Sequence, residues 1–232
     1  MEDPFLPLGQ PVDATPRPLP ARTAIAGAHM RLEPLHPRHA EDLFEAMQGA
    51  EASFAYMGYG PFGTLAALRA FVADAAAKHD PMFWAVRPLA SGRASGWMAL
   101  MDIQPFHAAI ELGNIWLGPQ LQRTRAATEA MCLLLQRAGD ELGYRRLVWK
   151  CNALNAASIR AAHRLGFTPE GILRAHMVVK GRARDTAMFS ITAEDWPARR
   201  EAMLAWLSPD NFAPDGTALC GLASFRPTIL AP

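Results

Sequence analysis

Hydrophobic positions in this chain recur with two periods, and the places where one period gives way to the other divide it into elements. His29-Met-Arg-Leu-Glu-Pro-Leu35 alternates in the manner of a strand. Pro37 opens a helix that runs to about Met47, with Glu41 and Asp42 favourably placed in its early turns. Gly58, Gly60, Pro61 and Gly63 mark a loop, and Thr64 caps a helix to about Lys78 that buries Leu65, Leu68, Phe71 and Val72. Met82–Val86, Gly96–Ile103 and Ala109–Leu117 then follow one another across short connections. That arrangement predicts an antiparallel meander. From Ala126 to Leu142 the spacing of Ala127, Ala130, Met131, Leu134, Leu135, Ala138 and Leu142 is helical. A strand ending at Cys151 comes next, so the strand–helix–strand passage allows one parallel pair. Ile159, Ala162 and Leu165 mark a further helix. Gly171–Lys180 and Arg184–Ile191 read as a hairpin about Lys180-Gly181-Arg182, and a last helix starts near Ala193 and ends at Leu207.

The ends differ from this middle. Six prolines fall in the first twenty residues, and proline lacks the N–H that helices and sheet ladders need. Residues 1–27 are therefore read as an extended, irregular leader, either disordered or, as Phe5, Leu6, Leu8 and Val12 favour, wrapped on the domain. Residues 28–207 form the domain proper. Residues 208–232, broken by Pro209, Pro214 and Gly216, are read as a tail that stays poorly ordered unless Phe212 or Phe225 docks. Composition narrows the class. Half the residues are hydrophobic and 19% charged, which suits a globular protein, and a formal charge of +1 points neither to a nucleic-acid partner nor to a membrane surface. No run of 18 apolar residues appears and the N-terminus lacks the form of a secretory signal, so a cytoplasmic monomer or homodimer is expected. Cys132, Cys151 and Cys220 show no paired spacing and are expected as reduced thiols. The seven histidines show no metal-ligand spacing on a helix, so no metal is expected.

Candidate chemistry concentrates in two stretches. In the first, Glu111-Leu-Gly-Asn-Ile-Trp-Leu-Gly-Pro-Gln-Leu-Gln-Arg-Thr-Arg-Ala-Ala-Thr128, a strand turns into a helix with Arg123 and Arg125 at the start. A helix N-terminus presents unpaired N–H groups that suit phosphate, and the arginines add full charge. An ordinary connection with solvated arginines reads equally well at this point. In the second, Asn155-Ala-Ala-Ser158 opens a helix that Gly166 closes, followed by Phe167, Glu170-Gly171, Arg174, Gly181-Arg182 and Asp185.

Together these stretches resemble the GNAT N-acetyltransferases, over roughly residues 27–196, and within them the RimJ/RimL branch. Gln122 and Ala127 match the first and last positions of the family's acetyl-CoA loop, Gln/Arg-x-x-Gly-x-Gly/Ala, while Arg125 stands where the loop has its central glycine. The resemblance implies a mixed α/β fold of about seven mostly antiparallel strands and four or five helices, with a splayed central strand pair. It implies acetyl-CoA as cosubstrate, bound by backbone of Ile115 and Leu117, by Gln122, Arg123, Thr124, Arg125, Ala126, Ala127 and Thr128, and by Asn155 and Ser158. A backbone N–H near Ile115 would stabilise the oxyanion.

The acceptor implied is a primary amine, on a small molecule or a protein N-terminus, attacking directly in a ternary complex. Glu111 is the candidate base, at the family's spacing before Gln122, and a carboxylate in an apolar strand has a raised pKa. Pairing with one of the many arginines is its structural alternative, and Asp102 is the rival carboxylate. Ala162 occupies the position where many members carry a tyrosine acid, so Ser158 is the candidate donor to the leaving sulfur. For Ser158 and Asn155 the alternative is helix capping alone. Gly113 eases a bulge or permits a close contact. His107 and His176 are placed at the acceptor mouth and His163 at a helix C-terminus. Trp84, Trp97, Trp116 and Trp149 are assigned to the core. The alternative for the whole chain is a non-catalytic acyl-CoA-binding module.

Overall fold

In the computed structural model, which describes residues 8–226, one sheet organises the chain. The elements are β1 (Ile25–Ala26), β2 (Met30–Pro34), α1 (Ala40–Ala46), α2 (Leu65–Ala77), β3 (Met82–Pro88), β4 (Gly96–Gln104), β5 (Ala109–Leu117), α3 (Arg125–Gln136), β6 (Arg146–Asn152), α4 (Ala156–Leu165), β7 (Thr168–Val179), β8 (Arg182–Thr192) and α5 (Trp196–Trp206). The eight strands lie in the order β1-β2-β3-β4-β5-β6-β8-β7. Neighbours are antiparallel except β5 and β6, whose parallel pairing follows from the crossover through α3.

Alternation along the strands gives the sheet two buried faces. In β3, Met82, Trp84 and Val86 belong to the core under α3, α4 and α5, while Phe83 and Ala85 belong to the core under α1 and α2. The second core is strongly aromatic: Phe54 stacks on Trp116 at 5.3 Å and Trp97 lies 4.7 Å from Trp116. Thr64 caps α2 by accepting from Ala67 N–H. Of the four residues expected on the buried face of that helix, Leu68 and Val72 are fully buried, and Leu65 and Phe71 half-buried. All four strand tryptophans are buried.

The N-terminal leader departs from the sequence reading, while the tail meets the condition set for its order. Phe5 and Leu6 lie outside the described residues, and Leu8 and Val12 are exposed rather than docked. The leader is instead held by hydrogen bonds: Arg17 N–H to Pro105 O (3.1 Å), Tyr144 Oη–H to Pro18 O (3.2 Å) and Trp84 Nε1–H to Thr23 O (2.9 Å). Proline removes many of the leader's own N–H groups, so two of these three contacts are made by its carbonyls and only one by an N–H. After α5, Phe212 packs edge-on against Trp206 at 5.1 Å and Phe225 packs against the main core.

One buried ionic cluster braces β2 to β3. Glu33, 5% exposed, meets Arg87 Nη1 at 2.6 Å, Arg38 Nη2 at 2.8 Å and His39 Nε2 at 3.1 Å. His39 Nδ1 accepts from His36 N–H, and its Nε2 faces both Glu33 Oε2 and Arg38 Nε–H. Burial alone would raise the Glu33 pKa, but hydrogen bonds from His39, Arg87 and Arg38 outweigh it and hold the carboxyl at about 2. A folded pKa below the unfolded value gives stability that is full above the unfolded pKa and is lost as pH falls through the folded one. Denaturant titrations should show wild-type stability falling between about pH 4.5 and 2, with part of that slope absent in Glu33→Gln. An unchanged slope would remove Glu33 as a contributor.

Candidate functional site

The site begins where β5 and β6 part. They pair only at Ala109↔Arg146, Ile110↔Leu147 and Glu111↔Val148. Beyond that point β5 keeps its pairing with β4 to Leu117, and β6 keeps its pairing with β8 to Asn152. Leu112–Leu117 and Trp149–Asn152 therefore flank a gap with unpaired edges, which can bind an extended group by backbone hydrogen bonds. A bulge helps to open it. Trp97 pairs with Trp116 and Ala99 with Gly113, so Asn114 and Ile115 oppose Met98 alone, and Asn114 takes φ 49°. Asparagine tolerates that region better than most residues. Gly113 has a different role. A Cβ there would lie 2.7 Å from Met101 Sδ and 2.8 Å from Glu111 Oε1, so the missing side chain makes room for the carboxylate.

At the far end of β5 the chain turns into α3. Leu121 N–H and Gln122 N–H both bond Gly118 O, and Gln122 Nε2 returns to Leu117 O at 2.9 Å. Arg123 takes φ 63°. Thr124 caps α3, accepting from Ala127 N–H at 3.1 Å and donating to Leu121 O at 2.7 Å. Thr128 Oγ1 receives Arg164 Nη2–H at 2.9 Å. The Arg125 guanidinium lies 4.0 Å from the Phe212 ring centroid and bonds Leu207 O. The side chains of Thr124, Thr128 and Arg125 are thus engaged within the protein, and the N–H groups of Thr124 and Thr128 are too, bonding Leu121 O and Thr124 O. The N–H groups of Arg123, Arg125 and Ala126 have no backbone acceptor among the described residues, and the exposed side chain of Arg123 forms no ion pair among them. Those groups fit a pyrophosphate at a helix start.

Glu111 lies at the last paired position before the gap, on the α1/α2 side of the sheet, and is 5% exposed. Lys150 Nζ lies 2.8 Å from its Oε2 and 2.7 Å from Asp102 Oδ2. The approach to Glu111 falls outside good hydrogen-bond angles, so it is an ion pair more than a directed bond. Burial raises the Glu111 pKa; Lys150 opposes and does not cancel it. Lys150 is itself raised, because its two carboxylates outweigh the effect of burial. Asp102 has its pKa lowered, first by Lys150. The two rival carboxylates thus share one ammonium but differ in basicity, and Glu111 is the stronger base. No arginine pairs with Glu111 among the described residues; its partner, Lys150, was not singled out in the sequence. The available signal was rarity: the chain has twenty arginines and only three lysines.

Across the gap, β6 leads straight into α4. Asn155 Oδ1 accepts Ser158 N–H at 3.1 Å, which makes Asn155 the helix cap and leaves its amide nitrogen without a partner among the described residues. Trp149 Nε1–H donates to Ser158 Oγ at 3.0 Å. A hydroxyl that accepts this bond keeps its own proton to donate elsewhere. Trp149 is a core residue, as expected, and also orients Ser158.

The β7–β8 hairpin completes the surroundings. Its tip residue Lys180 donates to Phe54 O at 2.9 Å, joining the hairpin to the loop between α1 and α2. His176 Nδ1 lies 3.0 Å from Thr186 Oγ1. His107 is exposed, and His163 is exposed with its ring edge-on to Phe189. A small hollow lined by Phe44, Met47, Phe54 and Phe62 sits beside α1 and contains neither Glu111 nor Ser158. Among the described residues no three His, Cys, Asp or Glu side chains converge as a metal site, and no helix is long and apolar enough to cross a membrane.

This geometry agrees with what the chain is similar to. Residues 29–168 match the model of the acetyltransferase (GNAT) domain. The structure is similar to that of a GCN5-related N-acetyltransferase from Brucella melitensis, 46% identical, over 91% of this chain and 97% of the other, with a TM-score of 0.89. It is also similar to a GNAT-family acetyltransferase structure from Chromobacterium violaceum, 39% identical, over 84% of this chain and 100% of the other, with a TM-score of 0.77. RimL, the ribosomal L7/L12 α-N-protein acetyltransferase, is 19% identical over 72% of this chain and 91% of its own, with a TM-score of 0.63, a likeness of fold. A comparison with curated proteins finds no match. The gap between β5 and β6, the helix start beside it and these likenesses lead to one conclusion: the chain belongs to the GNAT family and is an acyl-CoA-dependent acetyltransferase.

Proposed function

We propose that the protein acetylates a primary amine directly, with Glu111 as general base and Ser158 as donor to the departing sulfur. The observation that carries this reading is the position of Glu111. It is a buried carboxylate of raised pKa at the point where the parallel pair opens. Acetyl-CoA, when bound, supplies the acetyl group and a thiolate leaving group. The unpaired N–H groups of Arg123, Arg125 and Ala126, with the Arg123 side chain, hold its pyrophosphate. The unpaired edges of β5 and β6 and the Asn155 amide hold the pantetheine, and the bulge frees backbone near Ile115 for the oxyanion. Glu111 takes the proton that the amine loses as its nitrogen bonds the acetyl carbon. Ser158 gives a proton to the sulfur as the carbon–sulfur bond breaks, and recovers one from solvent. Asp102 helps keep Lys150 charged beside Glu111, and Lys150 limits the rise that burial imposes on the Glu111 pKa. The Asn155-x-x-Ser158 motif and the fold likeness to RimL support a place in the RimJ/RimL branch.

Thiol release from acetyl-CoA with a panel of primary amines tests the reading. Release that depends on a primary amine and yields the N-acetyl product supports it; release equal to the amine-free rate across the panel refutes it. The cofactor contact has its own test. Arg123→Ala should weaken CoA binding by about 1–2 kcal/mol, or roughly 5- to 30-fold, seen as a smaller CoA-induced rise in melting temperature. An unchanged rise would remove Arg123 from the site.

A further inference from the structure

Arg184 is a cation without a partner on the acceptor side of the sheet. Ala187, Phe189 and Ile191 of β8 point into the core under α3 and α4. By alternation Thr186 and Arg184 point to the opposite face, the one that carries Glu111 and Lys150. Arg184 is half-buried, and its Nε is fully buried with no hydrogen-bond partner. Its guanidinium forms no ion pair among the described residues. Asp185, the adjacent carboxylate, bonds Ala175 N–H at 2.7 Å instead, at a bulge where Arg174, Ala175 and His176 oppose Asp185 alone. Glu111 feels the Arg184 charge but is already paired with Lys150. A guanidinium half-withdrawn from water with an unpartnered buried Nε gains from an anion that meets it. Overhead, the Lys180–Phe54 bond links the hairpin tip to the loop after α1, which narrows the approach to this face.

Resting on the acetyl-transfer reading above, we propose that the acceptor is a small primary amine bearing a carboxylate or phosphate, and that Arg184 binds that anion while the amine meets Glu111. The specificity belongs to the free small molecule, because a protein N-terminus offers an amide carbonyl where the anion would be.

Matched pairs test this. Rates are compared for an α-amino acid and its amide, and for phosphoethanolamine and ethanolamine. The anionic member of at least one pair should have a kcat/KM about tenfold or more higher, and the pair that responds tells carboxylate from phosphate. Arg184→Gln should abolish the preference, any change through the Glu111 pKa being shared by both members of a pair, and Arg184→Lys should keep part of it. A cation that no protein group needs can be removed without loss of stability, so the melting temperature of Arg184→Gln should hold or rise. A neutral member used equally well, a preference that survives Arg184→Gln, or peptide N-termini favoured over free amines would each overturn the proposal. Should no amine be acetylated, the proposed function fails on its own. Melting temperatures of the CoA-saturated protein with anionic or neutral amines still test Arg184: the anionic amine should raise it in wild type and not in Arg184→Gln, and equal shifts would overturn the assignment.

Discussion

Glu111→Gln should lower kcat by about 10²-fold or more and leave CoA binding intact. The substitution keeps the volume and removes the basicity. In wild type the rate should fall as pH drops through the Glu111 pKa, because only the carboxylate accepts a proton, and burial places that pKa above the ordinary value. The acidic limb of the pH–rate profile should vanish in the variant. A glutamine variant that keeps both rate and limb would transfer the role to another group. Asp102 is a poor substitute, because Lys150 lowers its pKa.

Lys150→Met should act on the same profile in the opposite sense from a simple loss. Lys150 is the group that counters burial at Glu111. Without it, burial and the nearby Asp102 charge both push the Glu111 pKa further up, and the acidic limb should move to higher pH. Turnover at pH 7 then falls, and recovers as pH is raised. Stability should move the other way. A folded pKa above the unfolded one means that the folded state binds the extra proton, so the variant loses stability as pH rises through that pKa and regains it as pH falls. The loss at neutral pH should be on the order of 3 kcal/mol, near the low end for a broken buried pair because Lys150 is about one-fifth exposed. An acidic limb that stays in place would mean that Lys150 does not tune the base.

What was legible in the sequence was local. The cap at Asn155, the stop at Gly166 and the cap at Thr64 each depend on contacts a few residues apart, and each is found in the structure. The meander and the single parallel pair followed from connection lengths. The two-residue β1 was too short to show a period, and it exists only because Ile25 and Ala26 pair with β2. Gly113 was read as easing the bulge or permitting a close contact; the residue with positive φ is its neighbour Asn114, and the close approach at Gly113 is to the Met101 and Glu111 side chains, which periodicity does not encode. Arg125 looked like a phosphate ligand because its partner, Leu207 O, lies 82 residues away. Lys150 and Arg184 were read only as parts of strands. Their significance arises when β5, β6 and β8 are laid side by side, which fixes what each charge meets.

A crystal structure with CoA bound tests the central claim most directly. The account predicts the pyrophosphate at the N–H groups of Arg123, Arg125 and Ala126, the pantetheine in the gap between β5 and β6, and the sulfur within reach of Ser158 Oγ on the side open to Glu111 Oε1. A pantetheine outside that gap, or a pyrophosphate away from the start of α3, would contradict it.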